Sequence, residues 1–178
     1  MRRIGVIVAL GVLLGMFGGV VTASPALARG PKWEAVPGGP FTLPGGEQGD
    51  QNFCAFDVKV TVPVNREYIK LLKNDNDSIF TYLVTGSVTV SFTNGDTGKT
   101  ITENVSGPYK ITAVGDSIVG LAFKGLTFLA VTQDQARQFG LPPVSVIAGN
   151  LTVSVVDVIF TSVSLRGHVL VDICAALS

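Results

Sequence analysis

The sequence is poor in the side chains that carry most enzyme chemistry. Its 178 residues include one histidine, His168, and two cysteines, Cys54 and Cys174. A nucleophilic triad needs a histidine next to a nucleophile, and His168 is predicted to face solvent beside Arg166. One histidine and two cysteines also leave no ligand set for zinc. We therefore predict no metal, no cofactor and no enzymatic activity.

Charge of either sign is scarce and spread along the chain. Thirteen basic and thirteen acidic residues make up 15% of it. Without Arg2 and Arg3, which lie in the segment discussed next, eleven basic residues oppose thirteen acidic ones, a net charge of about −2. No basic cluster is visible in the sequence, which argues against nucleic acid and anionic membranes as partners.

Long apolar runs are absent except at the start. Arg2 and Arg3 precede an apolar run from Ile4 to Val21, and the sequence Ala26-Leu27-Ala28 follows, with small residues at its first and third positions. This pattern predicts a secretory signal peptide, residues 1–28, cleaved after about Ala28. A retained membrane anchor is the alternative, although the glycine-rich run is only marginally long enough to span. We expect a secreted protein whose mature chain has no transmembrane segment.

The two cysteines are expected to form a disulfide in an exported protein. Two free buried thiols are the alternative. A bond between Cys54 and Cys174 closes a loop of about 120 residues, and loops of that length gain most in the chain-entropy model. It also brings the first predicted strand to the last, as in a barrel or a sandwich with closed corners.

The clearest pattern in the chain is a two-residue alternation. From Phe80 to Phe92 the even positions are apolar, apart from Gly86, and most odd positions are Thr or Ser. From Ile101 to Ile111 the apolar residues stand at odd positions. Alternation of this kind predicts a hairpin of half-buried antiparallel strands.

The change of parity limits the turn of this hairpin. A two-residue turn on Asn94 and Gly95 satisfies it, and so does a four-residue loop from Asn94 to Thr97. We favour the four-residue loop because it pairs apolar residues. It places Val90 opposite Ile101 and Tyr82 opposite Tyr109.

The flanking segments complete the predicted domain. Residues 29–52 are rich in Pro and Gly and are expected to form an extended or mobile arm, from which Trp33 and Phe41 can pack onto the domain. The domain proper is expected over residues 53–178. Its first strand runs from Phe53 to Val62 and ends at Pro63.

Further strands follow at short intervals. Residues 66–72 fit a strand with Tyr68, Lys70 and Leu72 on one face, or a short helix. Turns are expected at Lys124-Gly125 and Gly149-Asn150, and residues 133–143 form the one stretch with a helical turn. About eight or nine strands predict an all-β fold, a single antiparallel β-barrel or closed β-sandwich.

Several short motifs resemble a known group of proteins. They are CAFDV (54–58), NREY (65–68), SFTNGDTGKT (91–100), NVSGP (104–108), SLRGH (164–168) and DICAAL (172–177). They resemble small secreted all-β proteins of actinomycete bacteria, an uncharacterised (hypothetical) family with one Cys pair. The resemblance covers nearly all of the mature chain. It implies secretion, the disulfide and the all-β build, and it carries over no functional residues.

Two carboxylates stand at positions of apolar parity. Glu103 shares its parity with Ile101, and Asp157 shares its parity with Val155. Pointing inward, they form a ligand site together with Tyr82 and Tyr109, or the acid pair of a carboxylate-based enzyme. The alternative places Glu103 near the mouth of the fold and Asp157 where its strand changes face.

Two non-enzymatic functions follow. The first is a secreted carrier of a small apolar or amphipathic ligand, held in a cavity lined by Phe80, Val84, Val88 and Phe92. The second is a solid-cored module that contacts a cell-envelope component through its surface. Inward glycines at 86, 107 and 167 fit either room for a ligand or bends in the strands. The sequence defines neither the partner nor the oligomeric state.

Overall fold

The computed structural model describes residues 32–46, 52–75, 78–157 and 159–178. Within these ranges nine strands form one antiparallel sheet flanked by two short helices. The strands are β1 (Glu34–Ala35), β2 (Phe41–Leu43), β3 (Val58–Asp75), β4 (Ile79–Asn94), β5 (Thr100–Asn104), β6 (Tyr109–Val114), β7 (Ser117–Ala130), β8 (Val144–Val156) and β9 (Ile159–Asp172); the helices are α1 (Gln133–Phe139) and α2 (Ile173–Leu177). The predicted all-β antiparallel fold is confirmed. The predicted signal peptide lies outside the described residues.

The strands follow the order β1-β3-β4-β6-β7-β8-β9, with β2 also paired to β3 and β5 to β4. Over the described ranges β9 pairs only with β8. The beginning of β3 and the end of β9 are therefore connected by a disulfide rather than by strand pairing. Cys54, in the loop before β3, and Cys174, in α2, are bonded with their Cα atoms 5.4 Å apart. The predicted bond is confirmed, although both cysteines flank the strands in which they were expected.

The two ends of the sheet differ. The β3–β4, β6–β7 and β8–β9 hairpins all turn at one end, which we call the hairpin end. The disulfide, both helices and the β4–β5 turn lie at the other, the disulfide end. The three connections at the hairpin end are short, which follows from the antiparallel order of consecutive strands.

The β4–β5 turn has the predicted length but a different position. Its four residues are Gly95 to Gly98, so Ile101 lies opposite Phe92 rather than Val90. Asn94 stays in the strand because its side-chain oxygen accepts hydrogen bonds from the backbone N–H groups of Asp96 (2.8 Å) and Thr97 (3.1 Å). The same shift of two residues places Tyr82 opposite Ile111, not Tyr109.

Strand β3 does not end at Pro63. It continues through a bulge between Thr61 and Val64, where the missing N–H of proline costs no ladder bond. The bulge reverses the parity of the strand: Val60 is buried before it, and Glu67 after it. The strand predicted at 66–72 is confirmed, but Tyr68 and the other even positions face outward.

Two predicted turns lie inside strands instead. Gly125 and Gly149 pair with each other in the middle of β7 and β8, and Gly149 also pairs with Gly167 of β9. The register of β4, β6 and β7 places Gly86 and Gly107 in line with them. These five glycines form one row across the sheet, which we call the glycine row.

Close backbone contacts explain four members of the glycine row, Gly86, Gly107, Gly149 and Gly167, whereas Gly125 has a positive φ of +91°. A Cβ atom at Gly86 would lie 2.1 Å from the carbonyl oxygen of Arg66, and one at Gly149 would lie 2.4 Å from that of Arg166. Both residues also have positive φ, +143° and +133°. Of the two interpretations of the inward glycines, bends with close backbone approach fit these contacts.

Two hydrophobic clusters form the core of the fold. The first, the β8 cluster, contains Val36, Val84, Tyr109, Ile111, Leu121, Leu129, Val131, Ala136, Ile147, Leu151, Val153, Val155 and Phe160. The second, the disulfide cluster, contains Leu43, Phe53, Cys54, Val58, Val60, Val88, Val90, Phe92, Val105, Ala130, Val144, Val146, Ile173 and Leu177. On β4 the glycine row lies between the two clusters, because Val84 belongs to the first and Val88 to the second.

The segment predicted as an arm is part of the sheet where it is described. β1 and β2 pair with the edge of β3, and Leu43 is fully buried. Phe41 packs against the disulfide cluster, whereas Trp33 is 40% exposed. The helical turn predicted in 133–143 is α1, which begins with a capping box between Thr132 and Gln135.

Candidate functional site

Asp157 does not point into the fold. It is exposed in the turn between Val156 and Ile159, with a φ of 49°. Aspartate tolerates this left-handed conformation better than most residues. Of the two interpretations of Asp157, the inward orientation is wrong, because the strand ends one residue earlier; the exposed turn position is closer to the alternative, in which Asp157 marks a break in the strand.

The other three predicted site residues are divided between the two clusters. Glu103 is half-buried opposite Val90, and Tyr109 is buried opposite Val84, six residues away on β4. At the rise of a strand this separation is roughly 20 Å. Tyr82, half-buried, shares the β8 cluster with Tyr109. The four residues thus do not form one ligand site, and Glu103 and Asp157 do not form an acid pair.

A different carboxylate occupies the interior. Glu67 lies opposite Gly86, at the β3 position of the glycine row, and is only 6% exposed. Its backbone is held by the residue after β1: the Val36 N–H donates to the Glu67 carbonyl at 3.0 Å, and the Asn65 side-chain amide donates to the Val36 carbonyl at 2.8 Å. Over the described ranges the Glu67 carboxyl group has no hydrogen bond or salt bridge.

This environment changes the acidity of two groups. Burial raises the pKa of Glu67 from 4.5 to about 7. Burial also raises the pKa of Tyr109, and the negative charge of Glu67 raises it further. Tyr109 packs its ring 5.0 Å from that of Phe123. The two groups therefore interact inside the fold, and burial favours the neutral form of the Glu67 carboxyl group.

The sequence contains a signal for Glu67 that depends on the bulge. Alternation from Phe53 places odd residues outward, so Glu67 reads as exposed. Pro63 in mid-strand indicates a bulge, and a one-residue insertion moves every later side chain to the opposite face. With that correction Glu67 takes the inward parity of Ile69.

An open cleft of about 500 Å³ lies beside the disulfide at the end of α1. Its lining is mainly apolar, with Phe53, Leu141 and Pro142 among its walls. The one cation in the lining, Arg137, forms a salt bridge with Asp134 one turn earlier in α1. That pair leaves the cleft without an uncommitted charge to select a ligand.

The outer side of the sheet gathers cations that are far apart in sequence. They are Arg66 and Lys70 on β3, Lys110 on β6, Lys124 on β7 and Arg166 on β9. Lys110 and Lys70 flank Leu83 of β4, and Lys124 and Arg166 flank Asn150 of β8. We call these five residues the cationic face. No salt bridge to any of them is found within the described residues.

The surroundings of the cationic face are hydroxyl-rich and uncharged. The outward positions on β4, β6, β8 and β9 between the cations include Thr85, Ser87, Thr112, Thr152 and Ser164. No Asp or Glu occupies an outward strand position there in the described part of the chain. Two exposed aromatic residues, Tyr68 and Trp33, lie at the β3 edge, where the Lys70 Nζ is 4.8 Å from the Trp33 ring centroid.

Two absences apply to the described residues. They contain no group of three or more His, Cys, Asp or Glu side chains that could hold a metal ion. Their helices are too short to cross a membrane.

No protein-family model, curated protein or solved structure matches this chain. The resemblance to secreted actinomycete proteins therefore stays a prediction. What the fold defines is a class: an all-β, disulfide-bonded domain. Such a bond is typical of proteins that function in an oxidising compartment.

Proposed function

We propose that this protein is an exported, non-catalytic binding module that acts through its outer sheet face. The observation that carries the proposal is the cationic face, a set of five cations for which the described residues supply no salt-bridge partner. Charged side chains distributed without partners over one face attract a ligand of opposite charge. Export through residues 1–28 is part of the proposal, and the disulfide supports it.

The packing of the interior supports this function over that of a small-molecule carrier. Val84, Val88 and Phe92, expected to line a cavity, are at most 2% exposed and belong to the two hydrophobic clusters. Phe80, the fourth, is half-buried and stacks on Tyr82 with ring centroids 6.4 Å apart. Side chains packed in this way leave recognition to the surface.

The separation of the predicted acid pair supports a non-catalytic role. Glu103 lies near the disulfide end and Asp157 in a turn at the hairpin end. Neither of the two glycosidase geometries, with carboxyl groups roughly 5 or 6.5–9.5 Å apart, fits two groups at opposite ends of a sheet.

Lysine footprinting tests the proposal without knowledge of the partner. The mature protein is incubated with the cell envelope of its own secreting host and acetylated, and peptide masses give the rate at each lysine. We expect slower acetylation of Lys110 and Lys124, which lie on the cationic face. Lys59 and Lys99, exposed at the disulfide end, are the matched controls and should keep their rates.

The same preparation tests the carrier. Native and denatured masses are compared for protein purified from its host. A small molecule present only in the native spectrum, together with unprotected Lys110 and Lys124, would replace the proposed function with ligand transport.

A further inference from the structure

We infer that the partner of the cationic face is an acidic polysaccharide, bound as an extended chain across the strands. This inference rests on the proposed function. It starts from the dimensions of the face, which runs from β3 to β9 over five strand spacings, roughly 24 Å. Neighbouring cations in one row are two strands apart, roughly 10 Å. Such spacing suits a polymer with repeated negative charges better than a single small anion.

The uncharged residues of the face favour a carbohydrate. Hydroxyl groups of Thr and Ser both donate and accept hydrogen bonds, as sugar hydroxyls do. Asn150, between Lys124 and Arg166, adds an amide with two donors and one acceptor. Trp33 and Tyr68 offer exposed aromatic faces against which the apolar face of a sugar ring can pack.

The arrangement of aromatic residues argues against single-stranded nucleic acid. Proteins that bind it stack successive bases on aromatic side chains placed along a basic groove. Among the described residues the two exposed aromatics lie at the β3 edge, and the cross-strand rows that hold Lys110, Lys124 and Arg166 carry no aromatic residue beyond that edge.

The placement of aliphatic residues argues against a lipid surface. Exposed aliphatic side chains form the cross-strand pairs Ile79–Val114 and Val156–Ile159 at the hairpin end, whereas Val64 and Leu72 stand singly beside the cations of β3. Within the described residues no exposed aliphatic side chain lies next to Lys110, Lys124 or Arg166. Membrane-surface binding requires apolar groups that insert where the cations meet the lipid headgroups. The cations lie in the middle of the face, away from these pairs.

The experiment measures binding of the mature protein to polygalacturonate and dextran sulfate, with uncharged dextran as the control polymer. Trp33, the only tryptophan of the chain, lies at the edge of the face, so its fluorescence reports binding. We expect both acidic polymers to bind, dextran not to bind, and the affinity to fall as salt is added.

Charge reversal then locates the site. The variant K110E/K124E/R166E should lower the association constant for polygalacturonate by about tenfold or more, because three attractive charges become repulsive. The control K59E/K99E/R137E changes the net charge equally, away from the face, and should retain most of the affinity. Neutral K110Q/K124Q/R166Q, which keeps side-chain length, should give an intermediate loss. Thermal unfolding of each variant verifies that it is folded.

Three results would overturn the inference. They are equal losses in the reversal and control variants, tighter binding of a poly-dT oligonucleotide than of both polysaccharides, and binding only to phosphatidylglycerol vesicles. Footprinting distinguishes failure of this inference from failure of the proposed function. If the envelope protects Lys110 and Lys124 but the protein binds neither polysaccharide, the protein still acts through its surface, and its partner is of another kind.

Discussion

Around the glycine row the two faces of the sheet differ in charge. The inner side holds the buried carboxyl group of Glu67, whereas the outer side holds the five residues of the cationic face. The nearly balanced composition hides this difference, because alternation assigns neighbours such as Arg66 and Glu67 to opposite faces. A net charge near zero can therefore coexist with a strongly cationic surface.

The largest expected effect on stability comes from removing the disulfide. Replacing Cys54 and Cys174 by serine should lower the free energy of unfolding by about 2–5 kcal/mol, because the 120-residue loop is no longer closed in the unfolded chain. Chemical denaturation of the variant and of wild type, each with and without reductant, measures it. A loss below about 1 kcal/mol would show that packing of α2 alone holds the two ends together.

The next largest effect on stability is expected from a substitution in the glycine row. Gly86→Ala should cost about 3 kcal/mol or more, because its Cβ would meet a backbone oxygen at 2.1 Å and its φ is positive. Gly98→Ala is the control, since its φ is +73° but nothing lies within 4 Å of its Cβ; it should cost about 1 kcal/mol. Urea titration compares them, and equal costs would contradict the close-approach role of the glycine row.

The buried charge of the inner face should make stability depend on pH. The folded pKa of Glu67, about 7, exceeds the unfolded value of 4.5. Its contribution is therefore fully present below pH 4.5 and is lost as the pH rises through about 7. The shift corresponds to on the order of 3 kcal/mol.

Glu67→Gln tests this dependence. The variant should lose that part of the pH profile and be more stable than wild type at pH 8, as followed by denaturation at a series of pH values. Tyr109→Phe, which keeps the carboxyl group, should retain the wild-type profile. An unchanged profile in Glu67→Gln would assign the dependence to another group.

The smallest effect is expected on the outer face. K110E/K124E/R166E should change stability by less than about 0.5 kcal/mol per site, since exposed strand positions make few contacts. At low salt the change should be a gain, because reversal removes repulsion between cations, and added salt should reduce it. Melting temperatures at two salt concentrations measure it; a large loss would mean that the cations also support the fold.

The sequence predicts the fold class, the disulfide and the faces of β4, because strict alternation and two cysteines leave few alternatives. Prediction from the sequence fails where a glycine fits both a turn and a position inside a strand. Gly125 and Gly149 read as turn residues, but they pair with each other inside β7 and β8, where Gly149 allows a close backbone approach, and the turn falls at Asp157 instead. It also fails at Glu67, because the bulge at Pro63 reverses the faces. The cationic face was not predicted, since it depends on the register of six strands.

The disulfide also sets an order of events for a chain synthesised from its N-terminus. Cys54 emerges first, and its partner follows only after β3 to β9. Throughout that interval Cys54 carries a thiol with no correct partner, open to oxidation or to capture by another molecule. The Cys54–Cys174 bond can therefore form only after β9 has been synthesised. A chain that ends before Cys174 would keep a free thiol at Cys54.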